Sequence, residues 1–114
     1  IFEKYNVPIE PGFISIDVDS IDLWLCDKIL EKYSPSFFSI EFNPNFPIDY
    51  AIAFPNNGEF WKGDRCFGSS LKAIKLMVDK HKKYSLVYAG VFSRSKHHDA
   101  FFIRNDLIKN HKER

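Results

Sequence analysis

The chain has no long apolar run, few cysteines and few glycines among its 114 residues, and each shortage excludes a class of protein. No stretch approaches the roughly 18 consecutive apolar residues of a transmembrane helix, so we expect no membrane span. The opening residues lack the basic and then apolar order of a signal peptide. Two cysteines, Cys26 and Cys66, are too few for a disulfide framework or a metal-binding set, which favours a reducing intracellular compartment.

The composition that remains is that of one globular domain. Hydrophobic residues make up 45% of the chain and aromatic residues 17%, including 12 Phe. Residues 1–71 carry 5 Lys/Arg against 11 Asp/Glu, whereas residues 72–114 carry 11 against 4. Oppositely charged halves usually attract each other within one fold, and a nucleic-acid-binding face is the less favoured interpretation. Since the first residue is Ile1 and not Met, we expect a processed chain or a piece of a longer protein.

Apolar periodicity and turn residues predict the order strand, helix, strand, long loop, helix, strand, strand. Prolines and an Asn-Asn-Gly sequence exclude long regular elements from residues 43–69, and a loop of that length is usually functional. We expect the charged tail, residues 109–114, to be frayed. The predicted elements are the strands Phe13–Val18, Phe37–Phe42, Tyr84–Val91 and Asp99–Arg104, and the helices Ile21–Tyr33 and Ser69 or Ser70 to about His81.

The predicted fold class is α/β. The strand–helix–strand start is a βαβ unit, so the first two strands should be parallel, with both faces of the sheet covered. The short polar connection before residue 99 predicts that the last two strands form an antiparallel hairpin. Two helices are too few to cover both faces of a four-stranded sheet. The single domain of residues 1–114 therefore looks partial, and we expect exposed apolar surface that associates with another segment or another copy.

Polar side chains follow both of the first two strands. Asp17 and Asp19 occupy alternate positions and should point the same way, and Asp22 should lie in the first turn of the next helix. In an open α/β sheet, ligands bind at the carboxyl edge of the strands, so we predict a functional site there. The second strand contributes Glu41, Asn43 and Asn45 to the same edge.

Structural roles compete with these assignments. Asp19 or Ser20 would also serve as the N-cap of the first helix. Glu41 is costly to bury alone, and an ion pair with Arg104 or Lys62 would satisfy it without any function.

Four segments of the chain, ISIDVDSID, IEFNPNF, FGSSL and AFFIRNDL, follow one another between residues 12 and 108. They resemble the motifs IDIDGND, IEYNxxF, FGASL and AFFVRxDL of a group of FkbM-like proteins with the class I S-adenosylmethionine-dependent methyltransferase fold. The resemblance implies the C-terminal half of that Rossmann-like fold. In that half, a strand with an acidic end is followed by helix, strand, helix and a closing antiparallel pair.

The resemblance also implies roles for the residues at the strand ends. It makes Asp17, Asp19 and Glu41 catalytic, beside the methyl acceptor, and it makes Asp22, Asn43 and Asn45 substrate-binding. Ser20 and Ile21 depart from the Gly-Asn of the group. The glycine-rich turn and the acidic residue that hold the cofactor would precede Ile1. We therefore expect S-adenosylmethionine to bind the full-length protein and not this chain alone.

Three functions remain open from the sequence. The first is the acceptor-side half of a methyltransferase, which transfers a methyl group to an oxygen or nitrogen acceptor. The second is a catalytically inactive methyltransferase-like subunit of a larger assembly. Its expected partners are the missing N-terminal half, another protein chain or a second copy. The third, a metal-dependent hydrolase, is disfavoured because His97 and His98 are adjacent, without zinc-ligand spacing, and no metal site is expected.

Overall fold

The structure, a computed structural model, describes residues 1–18, 20–53, 68–92 and 97–112. Within these ranges the order of elements is that expected from the sequence, with one added helix at the end. The elements are β1 (Phe13–Ile16), α1 (Asp22–Lys32), β2 (Phe37–Glu41), α2 (Leu71–His81), β3 (Tyr84–Phe92), β4 (His97–Arg104) and α3 (Asn105–Lys112).

The two predicted helices form where apolar residues recur at helical spacing. The hydroxyl of Ser70 accepts a hydrogen bond from the main-chain N–H of Ala73 and caps α2, whose C-cap Lys82 is left-handed with φ +58°. Burial raises the pKa of the Cys26 thiol, as expected of a packing residue. The apolar residues that the helices bury are Leu23, Cys26 and Leu30 from α1, and Ile74, Met77 and Val78 from α2.

The four strands form one mixed sheet in the order β1-β2-β4-β3. β1 and β2 are parallel, with Ile16 opposite Ile40, and β3 and β4 are antiparallel, so both predicted pairings are confirmed. The last strand, β4, also pairs antiparallel with β2 and so lies between β2 and β3. The chain is therefore an α/β protein whose parallel strands are closed by an antiparallel pair.

The hydrophobic core lies on one face of this sheet, between the strands and the packed pair α1 and α2. Phe38 of β2 stacks on Phe102 of β4 with ring centroids 5.0 Å apart, and Tyr84 meets Phe38 edge to face. The Tyr84 hydroxyl donates to the carbonyl of Pro35 at 2.7 Å, and burial raises the pKa of Tyr84 to about 12. Alternate residues of β2 thus anchor the core, as the pleat of a strand requires.

On the opposite face of the sheet, Phe13, Phe37, Val87 and Tyr88 are exposed, whereas Ser39 and Glu41 are buried, so the expected cover of both faces is incomplete. The helices α1 and α2 pack on the same side of the sheet, because they contact each other. The expectation of exposed apolar surface is correct. We call this surface the open face, and it is formed by Phe13, Phe37, Val87, Tyr88, Phe101 and Ile103.

Some segments of the structure differ from the sequence prediction, and others lie outside the described residues. The helix α3 was not predicted, and the expected fraying of residues 109–114 stays a prediction. In the predicted loop, residues 43–53 and 68–69 contain only an isolated bridge between Ala53 and Ser69, and residues 54–67 lie outside the described ranges. In the described part of the chain, no helix is long and apolar enough to cross a membrane.

Candidate functional site

The predicted site edge forms where β1 and β2 end side by side. The parallel register pairs Ile16 with Ile40, so the next residues, Asp17 and Glu41, lie at the same edge of the sheet. α1 begins at Asp22 beside this edge, as expected. Asp19 lies outside the described residues, so its predicted place beside Asp17 stays a prediction.

Asp22 is the most unusual group at this edge. Its side chain is buried, with 1% of the residue exposed. One carboxylate oxygen, Oδ2, accepts a hydrogen bond of 2.9 Å from the main-chain N–H of Val18. The other, Oδ1, is buried without a partner among the described residues. Burial raises the pKa of Asp22, and the negative charge of nearby Asp17 adds to the effect.

The start of α1 explains why the chain folds this way locally. The N-cap residue is Ile21, and no side chain of the described residues caps the helix. The expectation that Ser20 serves as the cap is therefore wrong, since its hydroxyl donates to the carbonyl of Val18 at 3.3 Å. Asp22 instead fixes the turn from β1 into α1 through Val18, and Asp17 remains exposed to solvent. Of the two carboxylates that the structure describes in this turn, Asp17 is thus the exposed one.

Glu41 ends β2 on the open face of the sheet. It is 6% exposed, and the antiparallel register places it opposite Asp99 of β4. The proposed ion pair with Arg104 is wrong, because Arg104 lies beyond Ile103, which pairs with Phe37 at the other end of β2. Lys62, the other suggested partner, lies outside the described residues.

Asn43 and Asn45 shape the loop that leaves β2. Asn43 is buried, its main-chain N–H donates to the carbonyl of Ser69 at 2.8 Å, and its side-chain Oδ1 accepts from the main-chain N–H of Asn45 at 2.9 Å. These contacts give Asn43 a structural role at the site edge. The side chain of Asn45 is exposed at the same edge.

Two further residues belong to this edge and were not among the predicted site residues. Asp99 joins Glu41 because β4 lies beside β2, and that neighbour relation is not visible in a hairpin pattern. Ser69 is 1% exposed, and its hydroxyl is buried without a partner in the described ranges. The only sequence signal for Ser69 was the predicted helix start, where Ser70 proves to be the cap.

A groove of about 650 Å³ adjoins the site along the free edge of β1. It has the volume of a small-molecule pocket. Its walls are mainly apolar and come from β1, α1 and the first residues of the chain, and Val18 connects it to the site. The lining includes Ile14, Ile16, Leu25, Ile29 and Tyr33.

The chemistry available at this edge is that of carboxylates. Within the described ranges, no group of three or more His, Cys, Asp or Glu side chains is arranged to hold a metal ion. An exposed carboxylate such as Asp17 can accept a hydrogen bond from a hydroxyl or amine and orient it. Burial of the Asp22 carboxyl raises its pKa and so shifts its equilibrium towards the protonated form.

The fold and the site together define an α/β protein with a mixed four-stranded sheet and an acidic carboxyl edge. Comparison with family models, curated proteins and solved structures gave no match to the chain.

Proposed function

We propose that the chain is the acceptor-side half of a class I methyltransferase-fold domain that transfers a methyl group to an oxygen or nitrogen acceptor. The observation that carries the proposal is the acidic edge of the parallel pair β1 and β2, followed by a closing antiparallel pair. The resemblance to the FkbM-like group implies this same order of strands and helices. Asp17 and Glu41 end the two parallel strands and mark the side on which the acceptor would bind.

The free edge of β1 also supports the proposal. β1 is an outer strand of the sheet, yet Ile14 and Ile16 beside that edge line an apolar groove. An apolar groove along an unpaired strand edge is what a sheet shows where a further strand and helix would continue it. We infer that the half of the domain that holds the cofactor continues the sheet at this edge.

The contribution of this half would be to hold the acceptor. S-adenosylmethionine supplies an activated methyl group on a sulfonium, and methyl transfer is largely a matter of positioning a nucleophile in line with it. The Asp17 carboxylate is accessible and can accept the hydrogen bond of an acceptor O–H or N–H, and it can take up that proton as the new bond forms. Asp22, buried behind it, keeps the turn between β1 and α1 in place.

The test uses the native polypeptide that contains these residues, with radiolabelled S-adenosylmethionine and extracts of small molecules and proteins as acceptors. We expect micromolar binding of S-adenosylmethionine by calorimetry, and label transfer that Asp17→Asn lowers by about tenfold or more. Asp79→Asn is the matched control, because Asp79 is an exposed carboxylate on α2 paired with Lys75. If the unaltered native polypeptide neither binds S-adenosylmethionine nor transfers the label, the proposal is refuted.

The 114-residue chain by itself should bind S-adenosylmethionine only with a dissociation constant above about 1 mM. The backbone contacts of a glycine-rich first turn would precede Ile1 in the resembling proteins. Calorimetric titration of the chain measures this directly. Micromolar binding that Asp17→Ala abolishes would show that this half carries the cofactor site.

The second candidate function is a catalytically inactive subunit of a larger assembly. The exposed aromatic side chains of the open face favour it, as does the departure at Ser20 and Ile21 from the resembling motif. A native polypeptide that assembles but does not bind S-adenosylmethionine would support this function against the first.

A further inference from the structure

The first residues of the chain are held in the kind of turn that ends an α-helix. The main-chain N–H of Asn6 donates to the carbonyl of Glu3 at 3.2 Å. The N–H of Val7 donates to the carbonyl of Phe2 at 3.0 Å, and Asn6 is left-handed, with φ +56°. These two bonds around a left-handed residue are a Schellman motif, a common C-terminal end of a helix, and they make Tyr5 the C-cap.

The neighbouring residues carry the other signals of a helix end. The N–H of Tyr5 donates to the carbonyl of Ile1 at 3.3 Å, which is an α-helical hydrogen bond. Lys4 lies in this last turn, where the helix dipole favours a cation, and Pro8 follows shortly after the C-cap. The turn thus has the ending of a helix without the length of one.

This turn lies at one end of the groove beside the free edge of β1. Phe2 meets Tyr33, the C-cap of α1, edge to face with ring centroids 5.0 Å apart. Glu3 pairs with Lys32 in the last turn of α1. The first three residues of the chain line the groove, which continues from there to Val18, just before α1. The turn therefore enters the groove and points along it.

The helix α1 has a second apolar side along this groove. Besides the residues that it buries in the core, Leu25 and Ile29 lie one turn apart and line the groove. Leu25 is 37% exposed. Lys28 and Lys32, also one turn apart, line the same groove. Because a surface helix needs only one apolar stripe to face the core, a second stripe indicates a second packing neighbour.

We propose that this groove binds an α-helix of which Ile1–Tyr5 form the last turn, and that the native polypeptide supplies the earlier turns of this helix. The helix runs parallel to α1, because its last turn lies beside the end of α1 and the groove leads back towards the start. Since α1 has 11 residues, a partner of equal length has about six residues before Ile1. The proposal holds for an active methyltransferase and for an inactive subunit alike.

The groove also specifies the composition of this helix. Residues three, four and seven positions before Phe2 share its face of the helix and should be apolar, because they would cover Leu25 and Ile29. In a parallel pair of helices, the residue one turn before Glu3 lies beside Lys28, which is one turn before Lys32. An acidic residue is therefore expected about four positions before Glu3, where it would pair with Lys28.

Hydrogen exchange of the native polypeptide, measured residue by residue by NMR, tests the helix. In an α-helix, the N–H groups of Phe2, Glu3 and Lys4 donate to carbonyls four residues earlier, which precede Ile1. We expect these three amides to exchange at least about 100-fold more slowly than in an unstructured peptide. Exchange at the unstructured rate would show that Ile1–Tyr5 do not end a helix, and it would refute the proposal.

Substitutions in the groove test where this helix binds. In the native polypeptide, Leu25→Ala should speed the exchange of the amides of residues 2–4 by about tenfold or more, because it removes a contact in the groove. The core amides of Ile74 and Val78 should change less, which separates local release of the helix from general loss of stability. Leu76→Ala is the matched control, since Leu76 is 54% exposed on α2 and does not line the groove.

The control variant should leave the exchange of residues 2–4 unchanged. If Leu25→Ala and Leu76→Ala change it equally, the helix does not bind in the groove and the proposal is wrong. Circular dichroism shows that each variant is folded. Neither measurement uses S-adenosylmethionine, so the outcome is independent of whether the native polypeptide transfers methyl groups.

Discussion

Replacement of Ser70 by Ala should destabilise the protein more than any other single loss of one hydroxyl at the site edge. Ser70 is 1% exposed, and its hydroxyl accepts two hydrogen bonds. One comes from the main-chain N–H of Ala73 at 3.2 Å and caps α2, and the other comes from the main-chain N–H of Ile52 at 2.9 Å. The main-chain N–H of Ser70 in turn donates to the carbonyl of Ile52 at 2.7 Å. One side chain thus holds both the helix and the loop.

The magnitude follows from these two bonds. Loss of an N-cap costs about 1 kcal/mol, and loss of a hydrogen bond to a partly buried main-chain donor costs about as much again. The free energy of unfolding should therefore fall by about 2 kcal/mol in Ser70→Ala. With a urea m-value of about 1.5 kcal/mol/M, the midpoint of unfolding falls by more than 1 M. Circular dichroism at one fixed, low protein concentration measures this shift without the influence of self-association.

The adjacent serine gives the matched control. Ser69 is equally buried, but its hydroxyl has no hydrogen-bond partner among the described residues. Ser69→Ala removes an unsatisfied polar group without loss of a bond, so its stability should be unchanged or about 1 kcal/mol higher. If Ser69→Ala destabilises the protein as much as Ser70→Ala, the assigned hydrogen bonds do not explain the stability of this edge.

Three further predictions concern the core and the titrating groups. Burial raises the pKa of Asp22, so near pH 4 the native state binds more protons than the unfolded state, and the free energy of unfolding falls as pH rises above about 4. In urea titrations, Asp22→Asn should abolish this fall and be more stable than the unaltered protein at pH 7. Burial acts to raise the pKa of Asp27, but hydrogen bonds from His81 and Lys80 lower the pKa by more. Ionised Asp27 therefore stabilises the native state above its ordinary pKa of about 4, and this stabilisation is lost as pH falls through the lowered pKa. In urea titrations, Asp27→Asn should lose less stability in acid than the unaltered protein does. Phe102→Ala should cost about 3–5 kcal/mol in the same assay, because Phe102 is 1% exposed in the core.

The elements of the fold were predictable because their signals are local. Apolar residues at helical spacing identify α1 and α2, and the βαβ pattern and the short turn identify the two pairings. The position of β4 between β2 and β3 was not predictable in this way. Phe101 and Ile103 alternate with Ala100 and Phe102, so β4 has apolar side chains on both faces of the sheet, but this pattern does not say which strands pair with its two edges, and the choice of a second neighbour depends on tertiary packing.

The site was predictable in its location and not in the state of its side chains. The edge position of Asp17 and Glu41 follows from parallel strands that both end in polar residues. A pattern of residue types cannot show that Asp22 and Asn43 are buried while Asn45 is exposed, because burial depends on how the loop at 43–53 returns to Ser69. Asn43 in particular has the residue type of a ligand-binding group and the contacts of a loop anchor.

The two ends of the sheet differ in how well their polar groups are satisfied, and this difference supports a function at the carboxyl edge. At the amino edge, the hydroxyl of Tyr84 donates to the carbonyl of Pro35, and Arg104 donates to the carbonyl of Ser34 at 2.8 Å and to Asp106 at 2.7 Å. At the carboxyl edge, a buried carboxylate oxygen and a buried hydroxyl lack partners in the described residues, and α1 starts without a side-chain cap. Unsatisfied buried groups cost stability, and proteins retain such local conflicts mainly where function requires them. The buried polar atoms that lack partners in the described residues therefore lie at the edge where the two parallel strands present their carboxylates.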